Sequence, residues 1–133
     1  MTVIERALHK TVSTDTPWEP VMGYSRAVRA GNVVAVTGTV GILPDGSYPP
    51  TIEEQTRRSL EIIRAAIEAL GGRIEQVIRT RIFTTDISQW KKIASVHGQV
   101  FAEIRPATTL VEVRRLIDDR ALLEIEADAI VEG

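Results

Sequence analysis

The chain has no cysteine among its 133 residues, which removes disulfides, thiolate metal sites and a cysteine nucleophile together. Histidine is nearly as scarce. His9 and His97 are too few and too separated to form a metal site, so no metal or cofactor is expected. Positive charge is not in surplus either: 16 Lys and Arg stand against 18 Asp and Glu, for a formal net charge of -2 and a pI near 5.7. That balance gives no electrostatic footprint for a polyanion, so nucleic acid is not an expected partner. No stretch approaches the roughly eighteen apolar residues of a membrane span, and Met1 to Lys10 lacks the apolar core of a signal peptide. A soluble cytoplasmic protein with no membrane partner is expected. Also missing are a Gly-x-Ser-x-Gly elbow, a Walker loop, a GxGxxG turn, internal repeats and low-complexity tracts.

What is present is an ordinary globular balance, 44% hydrophobic and 26% charged residues, with no linker. Residues 1–133 read as a single domain, long enough to bury roughly two-thirds of the unfolded surface in one core. Two helices follow from periodicity. Thr51-Ile52-Glu53-Glu54 has the form of a capping box. Ile52, Thr56, Leu60, Ile63, Ile67 and Leu70 then recur at spacings of three and four, and Gly71-Gly72 supplies the stop. The second helix starts after Asp86 or Ser88, places Ile93, His97, Val100, Phe101 and Ile104 on one side, and ends before Pro106, which biases Arg105 towards an extended backbone. On that stripe His97 reads as a packed or interface residue.

The other apolar runs read as strands: Thr2 to Leu8, Tyr24 to Ala30, Asn32 to Thr39, Gln76 to Thr85, Thr108 to Leu116 and Leu122 to Val131. Gly31 marks a hairpin between the second and third. The expectation is an α+β fold of order β-β-β-α-β-α-β-β, a six-stranded mixed sheet with two helices on one face. Val33-Val34-Ala35-Val36 does not alternate, so its strand needs cover on both sides. Two helices cover one face only, and the simplest cover for the other is a second copy of the chain.

Several segments together resemble one family. Gly23-Tyr24-Ser25-Arg26-Ala27-Val28 is similar to a Pro-Tyr-Ser-x-Ala-Val strand, and Val36-Thr37-Gly38 to an apolar-Ser-Gly turn. Gln55-Thr56, Leu70-Gly71-Gly72, Val77, Phe83-Thr84-Thr85-Asp86 and Phe101 follow in matching order. Pro106-Ala107-Thr108 and Leu123-Glu124-Ile125-Glu126-Ala127 resemble a Pro-Ala-Arg opening and an apolar-Glu-Ile-Glu strand. These are the marks of the RidA family (reactive intermediate deaminase, YjgF-like), and the likeness runs from about Tyr24 to about Ala127.

The resemblance implies a chorismate-mutase-like fold, a homotrimer with ligand clefts between subunits, and hydrolysis of enamines and imines. It gives Glu124 the role of holding the attacking water, places Tyr24 in the cleft wall, and gives Thr37 and Gly38 contact with a small-molecule ligand. It also shows a departure. Thr108 stands where the family has its carboxylate-binding arginine. Two charge-assisted hydrogen bonds at roughly 1.5 to 3 kcal/mol each are lost with a bidentate arginine, about a hundredfold or more in affinity. Three consequences stay open: a substrate without an α-carboxylate, another cation in its place, or binding without turnover. Ala94 and His97 also differ from the family's usual asparagine and tyrosine.

From the residues alone, Glu124 reads equally as a satisfied sheet carboxylate and Tyr24 as an interface filler. Strand alternation puts Arg79 and Arg81 on one face and Glu124, Glu126 and Asp128 on another that can meet it. Arg81 then either belongs to a structural ion-pair ladder or partly replaces the missing arginine. Trp18 and Trp90 are candidates to shape a cleft, although Trp90, in the first turn of a helix, reads rather as a packing anchor. Two functions compete, an imine or enamine deaminase and a non-catalytic metabolite-binding trimer; the acidic balance disfavours a third, an endoribonuclease or translation inhibitor.

Overall fold

A computed structural model describes residues 1–133, and its N-terminal strand differs from the expected one. Thr2 to Leu8 does not run on as a strand, because the Arg6 amide donates to the His9 carbonyl at 2.7 Å and reverses the chain. The result is a hairpin of β1 (Thr2–Glu5) and β2 (Lys10–Ser13). A short helix that periodicity did not reveal, α1 (Trp18–Met22), follows. Gly23 ends it at φ 76°, and the Gly23 and Tyr24 amides both donate to the Glu19 carbonyl, at 2.9 and 3.0 Å. A left-handed residue at this place favours glycine. Because Tyr24 belongs to this helix end, the next strand, β3 (Ala27–Ala30), starts three residues later than expected.

β3 and β4 (Val33–Val40) form the expected hairpin, with Gly31 at φ 59° in its two-residue turn. α2 (Ile52–Ala69) is capped as expected: the Glu54 amide donates to Thr51 Oγ1 at 3.2 Å. The Glu54 carboxylate accepts from the Thr51 hydroxyl, so the reciprocal bond of a full capping box does not form. After β5 (Val77–Thr84), Asp86 caps a single 3-10 turn that leads into α3 (Trp90–Phe101). Arg105 is left-handed at φ 55° rather than extended, because its amide closes the helix end on the Phe101 carbonyl at 2.8 Å. β6 (Ala107–Glu112) stops short of Leu116, and β7 (Leu123–Ile130) completes the sheet.

The outcome is an α+β fold with a seven-stranded mixed sheet, one strand more than expected, ordered β1-β2-β3-β4-β7-β5-β6. Only the β5/β6 pair is parallel; β7 slots between β4 and β5, antiparallel to both. α2 lies on β4 and β7 with α3 beside it, so the two long helices share one face. Ile52, Ile63, Ile67, Ile93, Leu123 and Ile125 are fully buried between the layers, at roughly 1.5 to 3 kcal/mol each.

On the opposite face the chain provides no cover. Val34 and Val36 enter the core, while Val33 and its partner Ile130 are each 47% exposed and Ala35 is also exposed. Beside them Arg81, Glu124, Glu126 and Asp128 are only half-buried. No helix is long and apolar enough to cross a membrane.

Candidate functional site

The site begins at an irregularity in β4. Val36 pairs with Ala127 and Thr39 with Ile125, so β4 carries one extra residue against β7, a bulge at Thr37-Gly38. A bulge interrupts the ladder, and the groups it frees need other partners. The Thr37 amide donates to the Arg26 carbonyl at 2.9 Å, and the Thr37 hydroxyl to the Ser25 carbonyl at 2.6 Å. Thr39 Oγ1 donates to the Thr37 carbonyl at 2.7 Å. Arg26 Nη1 then donates to the Gly38 carbonyl at 2.9 Å and to Thr39 Oγ1 at 3.1 Å.

Arg26 is only 4% exposed, and so is its counter-ion. Glu19 Oε2 lies 3.9 Å from Arg26 Nη2. The Glu19 carboxylate also accepts from the hydroxyls of Ser13, Thr14 and Thr16 at 3.0, 3.0 and 2.7 Å and from the Thr16 amide at 3.0 Å. Burial pushes this carboxyl up, but hydrogen bonds led by Thr16 outweigh it and hold the group below the usual carboxylate range. The pair ties α1 and β2 to the bulge.

Against the bulge a cleft of about 320 Å³ opens. α1 supplies Trp18 and Met22, and the turn after it supplies Tyr24, whose ring lies 5.8 Å from the Arg26 guanidinium. Thr37, Gly38 and Val40 form one wall, Ile117 and Asp118 another, and β7 contributes Glu124. Two larger depressions, of about 620 and 580 Å³, flank β2 and α1. Glu19, the buried acid of the first, is already satisfied, and the second is lined by Asp15 and by the exposed Glu61.

Glu124 differs from every other acid near the cleft because its carboxylate has no hydrogen bond and no ion pair within the chain. Burial raises its pKa first and the charge of Glu126 raises it further, while Arg26 opposes both. The carboxylate sits against the bulge. A Cβ on Gly38 would lie 2.7 Å from Glu124 Oε1, so glycine there makes room for the acid. A half-buried, unpartnered carboxylate of raised pKa is suited to accept a proton from a water held beside it.

Four of the expected residues, Tyr24, Thr37, Gly38 and Glu124, thus meet in one cleft, and two do not. Arg81 Nη1 is bound to Glu126 Oε1 at 3.1 Å and Asp128 Oδ2 at 3.2 Å across the β5/β7 pair. Thr108 sits on β6, separated from Glu124 by β5, and its Oγ1 is 2.7 Å from Thr80 Oγ1. Thr80 in turn lies 2.9 Å from His97 Nε2, and burial lowers the His97 pKa. Trp18 lines the cleft, whereas Trp90 is 47% exposed at the start of α3 and is no packing anchor. Arg26 and Asp118 carried no functional expectation. The one available signal for Arg26 was a charge inside an otherwise apolar strand opening. No group of three His, Cys, Asp or Glu side chains is arranged to hold a metal.

The family model described as Endoribonuclease L-PSP matches residues 14–131. The chain belongs to this family, the YjgF/RidA proteins. Among solved structures, Rv2704 from Mycobacterium tuberculosis, described as a member of the YjgF/YER057c/UK114 family, is 44% identical. It aligns with a TM-score of 0.86 over 92% of this chain and 99% of that one. The RutC family protein PH0854 of Pyrococcus horikoshii is 35% identical over 127 residues, 94% of this chain and all of that protein. The 2-iminobutanoate/2-iminopropanoate deaminase of Escherichia coli K12 is 29% identical over 127 residues, 92% of this chain and 98% of that protein.

Proposed function

We propose that this RidA-family protein hydrolyses an enamine or imine whose body carries no α-carboxylate, as a homotrimer in the cytoplasm with its clefts between subunits. The observation that carries this reading is the unpartnered carboxylate of Glu124 beside the Thr37-Gly38 bulge. The deaminase activity named for the Escherichia coli relative supplies the reaction class.

An enamine first tautomerises to the imine by taking a proton on carbon. Glu124 orients a water, and as its oxygen bonds to the imine carbon the water's proton passes to the carboxylate. The carboxylate passes that proton to nitrogen, giving the carbinolamine; the hydroxyl proton then follows to nitrogen through Glu124 as the C–N bond breaks, and ammonia leaves as the carbonyl forms. Water and imine give carbonyl and ammonia, with no oxidant and no cofactor. Tyr24 donates to the substrate from the wall, and the Thr37-Gly38 backbone fixes its orientation.

Arg81 is assigned to the ladder with Glu126 and Asp128, since its guanidinium is already committed there. Thr108 joins a ligand only from a neighbouring subunit, because β5 stands between it and Glu124 in its own chain. The exposed pair Val33 and Ile130 supports burial of that open face against other copies.

A second reading keeps the cleft and drops the chemistry. Arg26 spends its donors on the framework and Thr108 is bonded to Thr80, so a metabolite is held without the tight anchoring that turnover needs. Cleavage of RNA is disfavoured, since the one unpaired charge lining the cleft is negative. The test offers imines released by an amine oxidase and follows their conversion to carbonyl product. In the deaminase reading Glu124→Gln lowers turnover by about a hundredfold to ten-thousandfold while assembly survives. An unchanged rate in the variant, or no turnover by the wild type of any imine offered, leaves the binding module.

A further inference from the structure

The charges around the cleft are accounted for one by one, except one. Arg26 faces Glu19 and donates to Gly38, Thr39 and Thr14. Asp118 is held by Arg120 at 2.7 Å. Glu126 and Asp128 are shared by Arg81. Only Glu124 is uncompensated, and it lies beside the bulge in a cleft whose lining also includes Trp18, Tyr24, Met22 and Ile117.

We propose that the cleft selects its ligand by positive charge: a compact apolar or aryl body bearing one planar C=N cation, an iminium or amidinium, whose N–H donates to one oxygen of Glu124 and leaves the other to the water. The inference rests on the cleft assigned above and names the substrate class for it, primary iminium ions derived from amines rather than from amino acids. Three physical terms favour that class. A charge-assisted bond to a carboxylate with no other partner gains strength from partial burial. Aromatic side chains in the lining, Trp18 above all since Tyr24 already has Arg26 beside its ring, attract a cation. An anion, by contrast, meets a like charge and finds no free guanidinium. Such an imine comes from two-electron oxidation of a primary amine, so the supplying reaction belongs to that class.

Three ligands of one shape and different charge test this by calorimetric titration of the intact protein: benzamidine, benzamide and benzoate. Benzamidine binds about tenfold to a hundredfold tighter than either of the others, the range of one charge-assisted hydrogen bond. In Glu124→Gln the preference collapses to within about threefold. Equal or tighter binding of benzoate, binding of none of the three, or a preference that survives Glu124→Gln in a folded variant overturns the proposal. The wild-type comparison stands alone should the variant misfold. Benzamidine preference without turnover of any imine supports the charge selection and removes the hydrolase reading. Benzoate preference removes the charge selection and leaves the hydrolase open.

Discussion

Gly38 and Gly41 are three residues apart, yet alanine at each should fail in a different way. At Gly38 a Cβ would lie 2.7 Å from Glu124 Oε1 and 3.0 Å from its Cδ. Ordinary contact needs about 3.5 Å, so the carboxylate must retreat by about 0.5 to 1 Å. It is the free end of a flexible side chain, so Gly38→Ala costs less than about 1 kcal/mol of stability. If Glu124 holds the water as proposed, a displacement near 1 Å should lower turnover by about a hundredfold, because the reacting atoms lose their alignment. At Gly41 the same methyl meets the backbone of α2: the Gln55 carbonyl oxygen, its Cα at 2.8 Å and its carbonyl carbon at 2.9 Å. A helix backbone cannot yield alone. Gly41→Ala should cost roughly 1 to 3 kcal/mol or more, a fall in melting temperature on the order of 4 to 12 °C for a domain of this size. The assay pairs melting curves with turnover of an oxidase-generated imine. Gly38→Ala with wild-type turnover, or with a melting point as low as that of Gly41→Ala, refutes the placement of Glu124 as the water-holding group.

The raised pKa of Glu124 gives stability a definite sign: the protonated acid is favoured in the fold, so its contribution is full below the ordinary 4.5 and is lost as pH rises through the higher folded value. Glu124→Gln should therefore melt higher than wild type at neutral pH, with the gap closing below the ordinary carboxylate range; a lower melting point at neutral pH refutes this. Light scattering at micromolar concentration should show a trimer, and a monomer with a cooperative melt would show that Val33 and Ile130 tolerate water. Turnover of 2-iminopropanoate should be weak and rise in Thr108→Arg; strong wild-type turnover would mean that the carboxylate is held by another group.

The parts legible in the sequence are those where one local signal had one structural outcome. Thr51 before an apolar stripe and Gly71-Gly72 after it fixed α2, and Gly31 fixed the β3–β4 turn. α1 escaped because five residues carry barely one helical period and Pro20 argues against a helix until its place in the first turn is known. The reversal at Arg6–His9 escaped because Ala7-Leu8 reads as apolar strand, although Leu8 is 84% exposed at the turn. For the site, motif order pointed to Glu124, Tyr24, Thr37 and Gly38, which share one cleft, but not to the bulge that brings them together. A bulge is a mismatch between two strands distant in sequence, and neither strand shows it alone.

The buried ion pair explains why Glu124 is left unpaired. The bulge at Thr37-Gly38 leaves the Gly38 carbonyl without its place in the ladder, and an unsatisfied buried carbonyl is costly. Arg26, the residue just ahead of β3, meets that need. A guanidinium only 4% exposed requires a counter-charge, and Glu19 supplies it from α1. Glu19 needs donors in turn, which explains why Ser13, Thr14 and Thr16 cluster ahead of the helix. Each residue in this sequence of requirements is committed before the cleft is reached. Arg26 lies close enough to moderate the Glu124 pKa, but its hydrogen bonds and its ion pair go elsewhere. The framework that shapes the bulge thus keeps the only nearby cation from neutralising the acid beside it, and the carboxylate stays available to water and to a positively charged ligand.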